Sequence, residues 1–253
     1  MVSAGRYLYG FIDRRFQPAA ELRGLAGAPV RIVSFLDVAA VVSAHPVKPL
    51  MPLRSNLEPH HRVVRQISAE ATLVPAAFGH ISDTEDEILA VLRANYAGIR
   101  SELDRLDQKC EMGVKLSWAV DNIFDFMVRS DRALREIRDR TFCNRQPSLN
   151  EKLEVGSAFE AALARQRARL TQMLLTALEP VTYAVSLSPP LNEQMVCRPA
   201  LLIARAQLSE FEAALQRAAG LFDAQYVLDY SGPWPPYSFV QLRLQRADPT
   251  AAA

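Results

Sequence analysis

The 253 residues are 49% hydrophobic and 23% charged with a formal net charge of +1, the composition of a globular chain with a substantial core. That balance gives no electrostatic reason to expect nucleic acid or an anionic membrane as partner, and no apolar run reaches the roughly 18 residues a bilayer span needs. Cys110, Cys143 and Cys197 stand 33 and 54 residues apart, which suits free thiols in a reducing cytosol better than a disulfide framework. The N-terminus enters a strand with no signal-peptide pattern, so a soluble cytoplasmic protein is expected.

Arg6–Ile12 is aromatic and β-branched and reads as a central strand. Arg14–Pro29 holds two prolines and two glycines and reads as a loop. Val30–Phe35 and Val38–Ser43 follow as two strands, and the proline-rich stretch His45–Pro59 as a surface connection. His60–Ala71 reads as a helix with Val63, Val64 and Ile67 inward, and Thr72–Val74 as a short strand. Ser82 with Glu85 makes a capping box for one long helix whose apolar face runs Ile88, Leu92, Tyr96, Ile99, Leu103, Leu106. The period then changes. Cys110, Met112, Val114, Leu116 and Trp118 alternate with small or polar residues, the mark of a half-buried strand. This strand is expected to join the first sheet and to close a domain of residues 1–120.

Residues 121–253 form the second expected domain. Asp121–Thr141 reads as one helix and Asn150–Leu178 as another, ended by Pro180. Val181–Leu187 and Val196–Ala206 read as strands, and Ser209–Glu212 as a second capping box for a helix stopped at Gly220. Tyr226–Tyr230 then runs into Gly232, Pro233, Trp234, Pro235, Pro236 and Tyr237, a rigid corner fixed by prolines. Alternation from Ser238 to Leu244 suggests a last strand, and Asp248–Ala253 a frayed tail. The fold class is α+β: two domains, each a small mixed or antiparallel sheet with helices on one face. Trp234 is expected to pack into a groove of its own chain, since the prolines place the indole at little entropic cost; the competing reading presents Pro-Trp-Pro-Pro-Tyr outward as a polyproline-type ligand for another protein.

Chemistry-bearing patterns are sparse. No Cys-x-x-Cys or His-Glu-x-x-His occurs, and adjacent helical His60 and His61 point about 100° apart. His60 or His61 is expected to hydrogen-bond a neighbouring loop. Gly24 and Gly27 lack phosphate-cradling spacing, and the acidic run Asp83–Glu87 complements a helix dipole. No catalytic residue, cofactor or metal site is expected. Arg129, Arg132, Arg135, Arg138, Arg140 and Arg145 against Asp131, Glu136 and Asp139 give that segment a charge of +3. Its plain reading is a solvated face laced with ion pairs; its functional reading is a docking face for an acidic partner, centred on Arg129, Arg132, Arg135 and Arg138.

Several segments together resemble the gas vesicle protein F/L family (GvpL/GvpF). They are Tyr7–Gly10, Val38–Ser43, His60–Val64, Pro75–Gly79, Glu111–Lys115 and the closing Gly232-Pro-Trp-Pro-Pro-Tyr-Ser-Phe239, in order along nearly the whole chain. Ala77 and His80 depart from that pattern, which carries an Arg and a Thr there. The resemblance implies an accessory or minor structural protein of gas vesicles, non-enzymatic, with at least one ferredoxin-like domain. It also implies the major shell protein and other accessory proteins as partners, without nucleic acid or membrane, and a place in the cytoplasm at the gas vesicle. The rival is a non-vesicle ferredoxin-like protein that binds or converts a small molecule, which a deep polar pocket would distinguish. A free regulatory adaptor is a third reading.

Overall fold

The computed structural model describes residues 4–18, 21–143 and 146–245. They form two compact units. One comprises the described residues up to Glu111 with Ala204–Ala206 and the segment from Gly232 onward; the other is Met112–Ile203 with Gln207–Ser231. Both are built on antiparallel sheets with helices, so the fold class is α+β.

The first unit centres on β1 (Ala4–Asp13), flanked by β3 (Val38–Pro46) and β4 (Leu73–Pro75), with β2 (Val30–Phe35) outside β3 and the two-residue β5 (Ile81–Ser82) also pairing β1. The β1–β3 register shifts between Leu8 and Gly10, so Tyr9 is the extra residue of a bulge. The bulge changes which parity faces inward. Tyr7 before it, Tyr9 in it and Ile12 after it therefore reach one core with Val63, Val64 and Ile67 of α1 (Arg54–Glu70). Every residue from Val38 to Ser43 is buried, as a strand covered on both faces must be. The second covering comes from α2 (Glu85–Ala94) and α3 (Tyr96–Arg105).

Three local expectations are corrected here. Helix α1 begins at Arg54, six residues before His60, and carries Pro59 inside it. The N-cap of α2 is Thr84, whose hydroxyl accepts from the Glu87 N–H, and not Ser82. The single apolar stripe from Ile88 to Leu106 is divided between two helices at Asn95, whose side chain serves other partners.

The second unit's sheet has the order β7–β8–β6–β9, from β6 (Lys109–Trp118), β7 (Ala184–Ser188), β8 (Met195–Ala204) and β9 (Tyr226–Trp234). Strand β6 buries Cys110, Met112, Val114, Leu116 and Trp118 as the alternation requires. It pairs in this sheet, however, and not with β1 as expected from the sequence. A two-residue period specifies a face, but pairing partners are non-local. Helices α4 (Ile123–Ser130), α5 (Arg132–Phe142) and α6 (Leu149–Leu178) follow β6. The expected single helix over Asp121–Thr141 breaks at Asp131, whose carboxylate accepts the Leu134 N–H and caps α5. Helix α6 opens on a complete capping box from Ser148 and Glu151. It lays Arg167 over the Trp118 ring, 5.8 Å from its centroid. Helix α7 (Leu208–Ala219) has no side-chain cap, so Ser209–Glu212 is not the box expected. It sets Phe211 edge-on to Tyr230 of β9.

The last strand expected over Ser238–Leu244 does not form. Tyr237–Phe239 makes one 3₁₀ turn, Val240 is extended, and among the described residues 240–245 belong to no strand. The tail Asp248–Ala253 lies outside the described residues, as does Arg145.

Candidate functional site

The aromatic and titratable side chains of the first unit converge where the C-terminal segment meets α1. Tyr7 and Tyr9 pack edge-to-face at 4.9 Å between ring centroids, and His60 stacks on Tyr9 at 5.8 Å. His60 is fully buried. Its Nδ1 lies 2.8 Å from the Tyr7 hydroxyl and its Nε2 3.0 Å from the Tyr237 hydroxyl. The Gly79 N–H donates to the Tyr7 oxygen at 3.2 Å. In either neutral tautomer one ring nitrogen donates to a tyrosine oxygen and the other accepts from a tyrosine hydroxyl, so both nitrogens are partnered.

Burial sets the protonation of this cluster. It lowers the His60 pKa to about 4, with the nearby His61 adding to the shift. Burial also pushes the Tyr7 and Tyr237 phenols well above their ordinary value. All three are therefore neutral at pH 7. Beside them the Tyr9 hydroxyl meets Ser43 Oγ at 2.9 Å and accepts the Leu25 N–H at 2.9 Å. A Cβ on Gly24 would fall 1.9 Å from that hydroxyl, so only glycine lets the loop approach.

The closing corner is held by more than His60. Gly232 takes a φ of +129°, a conformation that glycine adopts without strain. Pro235, Pro236 and Phe239 are buried. Both Glu111 carboxylate oxygens accept from Ser238, from its N–H and its hydroxyl, each at 2.8 Å. Arg105 donates to the Phe239 carbonyl. Glu102 accepts the Gln241 N–H at 3.0 Å. Asn95 accepts the Gln245 N–H at 2.8 Å and donates to its carbonyl at 3.0 Å. Side chains of Asn95, of Glu102 and Arg105 on α3 and of Glu111 on β6 thus do for residues 238–245 what a neighbouring strand would do. Trp234 differs from its expected place. It remains 38% exposed, with one face covered by the Arg65 guanidinium at 5.2 Å. The buried anchors are the prolines and Phe239.

The arginine-bearing segment lies on α4 and α5 in the second unit. Arg132 pairs with Glu136 at 2.8 Å, Arg138 with Asp139, and Arg140 with Glu154 at 3.3 Å. Arg135 donates to the carbonyls of Val128 and Arg129, the last turn of α4. Arg165 of α6 reaches Asp131 at 3.0 Å. Ion pairing within the chain takes up much of this charge, while the side chain of Arg132 stays 91% exposed beside its partner.

Burial pushes the Cys110 and Cys197 thiols up, as for inert core cysteines, whereas Cys143 is exposed. Among the described residues no three His, Cys, Asp or Glu side chains gather, and no helix is long and apolar enough to cross a membrane. Ala77 is exposed, so the absence of an arginine there leaves no buried gap, and the His80 carbonyl accepts the Leu8 N–H at 2.9 Å.

Comparison with known proteins agrees along the chain. The family model described as gas vesicle synthesis protein GvpL/GvpF matches residues 5–241. Gas vesicle protein F of a Streptomyces species is 28% identical over 239 residues, covering 93% of this chain and 99% of that one. Gas vesicle protein L1 of Halobacterium salinarum is 28% identical over 258 residues, covering 94% and 91%. The crystal structure of gas vesicle protein GvpF from an Anabaena species superposes with a TM-score of 0.84 at 25% identity, covering 95% of this chain and 100% of that one.

Proposed function

Since the chain belongs to the GvpL/GvpF family of gas vesicle synthesis proteins, we propose that it acts in gas vesicle assembly as a non-catalytic accessory or minor structural protein. In this reading it binds the shell protein or other accessory proteins in the cytoplasm and needs neither metal nor cofactor. The observation that carries the proposal is that one fold and one family match span the chain from β1 to the closing corner. The His60 cluster supports it: the strongly shifted groups are neutral, enclosed and occupied in holding the C-terminal segment. They are not set out for a substrate. The exposed faces of α4 and α5 with Arg129, Arg132 and Arg138 supply a docking surface for an acidic partner.

The test is to delete the chain from a vesicle-forming host and to fractionate vesicles from the complemented host. The proposal expects vesicle yield to collapse on deletion, and the chain to travel with intact or collapsed vesicles or with assembly intermediates. Normal vesicles in the deletion strain would overturn it. Retention through purification would favour a structural part, and release in mild salt an adaptor.

A further inference from the structure

The second unit's sheet ends on two unlike edges. Strand β9 is guarded: Asp229 lies on it, bonded to Lys115 at 2.8 Å, and Pro233 near its end has no N–H to offer a neighbour. Strand β7 carries neither a charge nor a proline within Ala184–Ser188. It is the terminal strand of the order β7–β8–β6–β9, and no charged residue occurs between Glu179 and Glu193. Its side chains are also unusual for an edge. Tyr183 is 62%, Val185 43%, Leu187 57% and Leu191 69% exposed. Val185 and Leu187 lie opposite buried Leu201 and Pro199 of β8, so they extend a core-facing row beyond the last covered strand.

Among the described residues no strand pairs the outer row of β7 N–H and C=O groups, and such a row calls for another strand. We infer that β7 pairs antiparallel with β7 of a second copy of this chain, joining two four-stranded sheets across a twofold axis. The sequence is self-complementary for this pairing. With Ser186 on the axis, Val185 meets Leu187 of the second copy and Ala184 meets Ser188. A twofold interface sets each residue against copies of its own segment, where any net charge would repel. This strand carries none. Pro189 and Pro190 end the pairing after five residues. Tyr183 and Leu191 of both copies then widen the apolar contact, which five paired residues alone would leave below the size of stable interfaces.

Two measurements on the full-length protein test this. Light scattering with size exclusion should give twice the monomer mass at high concentration, and Val185→Lys should return it to the monomer. Because Val185 is exposed, circular dichroism of that variant should match the parent. The second measurement reads register. In a Cys143→Ser background, Ser186→Cys should form a disulfide-linked dimer on mild oxidation, since cross-strand Cα atoms at the axis lie about 4.5–5.5 Å apart. Ser188→Cys should not, because it lies roughly 13 Å from its own mate. A monomer at every soluble concentration overturns the inference. So does cross-linking at position 188 without cross-linking at 186.

Discussion

His60 and Tyr237 stand 177 positions apart, and Nε2 of one lies 3.0 Å from the hydroxyl of the other. Through this contact the C-terminal segment is tied to α1 and, by way of Tyr7, to the first strand.

The tie has a polar and an apolar part, and they can be separated. Tyr237→Phe keeps the ring and leaves the buried Nε2 without its partner, which should cost about 1–3 kcal/mol. Phe239→Ala removes a side chain only 7% exposed and should cost about 3–5 kcal/mol. Urea unfolding of both variants checks this. A larger loss in Tyr237→Phe than in Phe239→Ala would mean that the hydrogen bond, and not the packed ring, dominates the anchorage.

Protonation of His60 should weaken the fold. Its folded pKa of about 4 lies below the ordinary 6.5, so the unfolded chain takes up the proton first as pH falls. The stability it confers is fully present above pH 6.5 and is lost between 6.5 and about 4, on the order of 3 kcal/mol over that window. His60→Gln cannot titrate. The stability gap between parent and variant should therefore narrow by that amount from pH 7 to 4. A gap independent of pH would show that His60 is charged or solvated in the folded protein.

What was legible in the sequence follows from how far each signal reaches. The alternation of Cys110–Trp118 and the helical period over Leu149–Leu178 are local, and both elements form. The break at Asn95 is not local. The apolar stripe continues through it, but the Asn95 side chain is spent on Val91 and on Gln245, 150 positions away. The alternation after Ser238 is real as well, yet its backbone partners are the side chains of Asn95, Glu102, Arg105 and Glu111, which no period within the segment encodes. The sequence marks His60 or His61 for a hydrogen bond to a neighbouring loop. His60 instead meets Tyr7 of β1 and Tyr237, the residue that ends the proline corner, visible only once the chain has returned.

Trp234 is a clear test of the difference between an aromatic in a motif and an aromatic in a core. Because it is 38% exposed and covered on one face by Arg65, Trp234→Ala should cost about 1–2 kcal/mol. A double-mutant cycle with Arg65→Ala should attribute roughly 0.5–1 kcal/mol of that to the cation–π contact. A loss of about 3 kcal/mol or more would restore the indole to the role of main anchor.

The arginine face predicts a salt-dependent phenotype. Arg135 holds the end of α4, so it should be left in place, and Arg132→Glu with Arg138→Glu tests the charge alone. Pull-down of shell and accessory proteins should weaken at low ionic strength, with the difference fading as salt rises. Unchanged capture at all salt concentrations would leave α4 and α5 as a solvated face.

Glu102 concentrates the attachment of the last residues in one carboxylate. It is only 7% exposed. Arg105 donates to both its oxygens, at 3.0 and 2.8 Å, and the Gln241 N–H to one of them at 3.0 Å. Burial alone would raise its pKa, but the Arg105 and Gln241 hydrogen bonds outweigh it and hold the carboxyl below its ordinary value. The resulting stabilisation is present above the ordinary carboxylate pKa and is lost as pH falls through the lowered one. Glu102→Ala leaves Arg105 and the Gln241 N–H without their acceptor at once, which should cost about 2–4 kcal/mol. The loss should be local before it is global, because residues 240–245 have no strand to fall back on. Hydrogen exchange should therefore accelerate at Gln241 and Gln245 in the variant while the amides of β1 and β3 keep their protection relative to the new global stability. Uniform acceleration across β1 and the segment together would show that the C-terminal residues open only with the whole first unit.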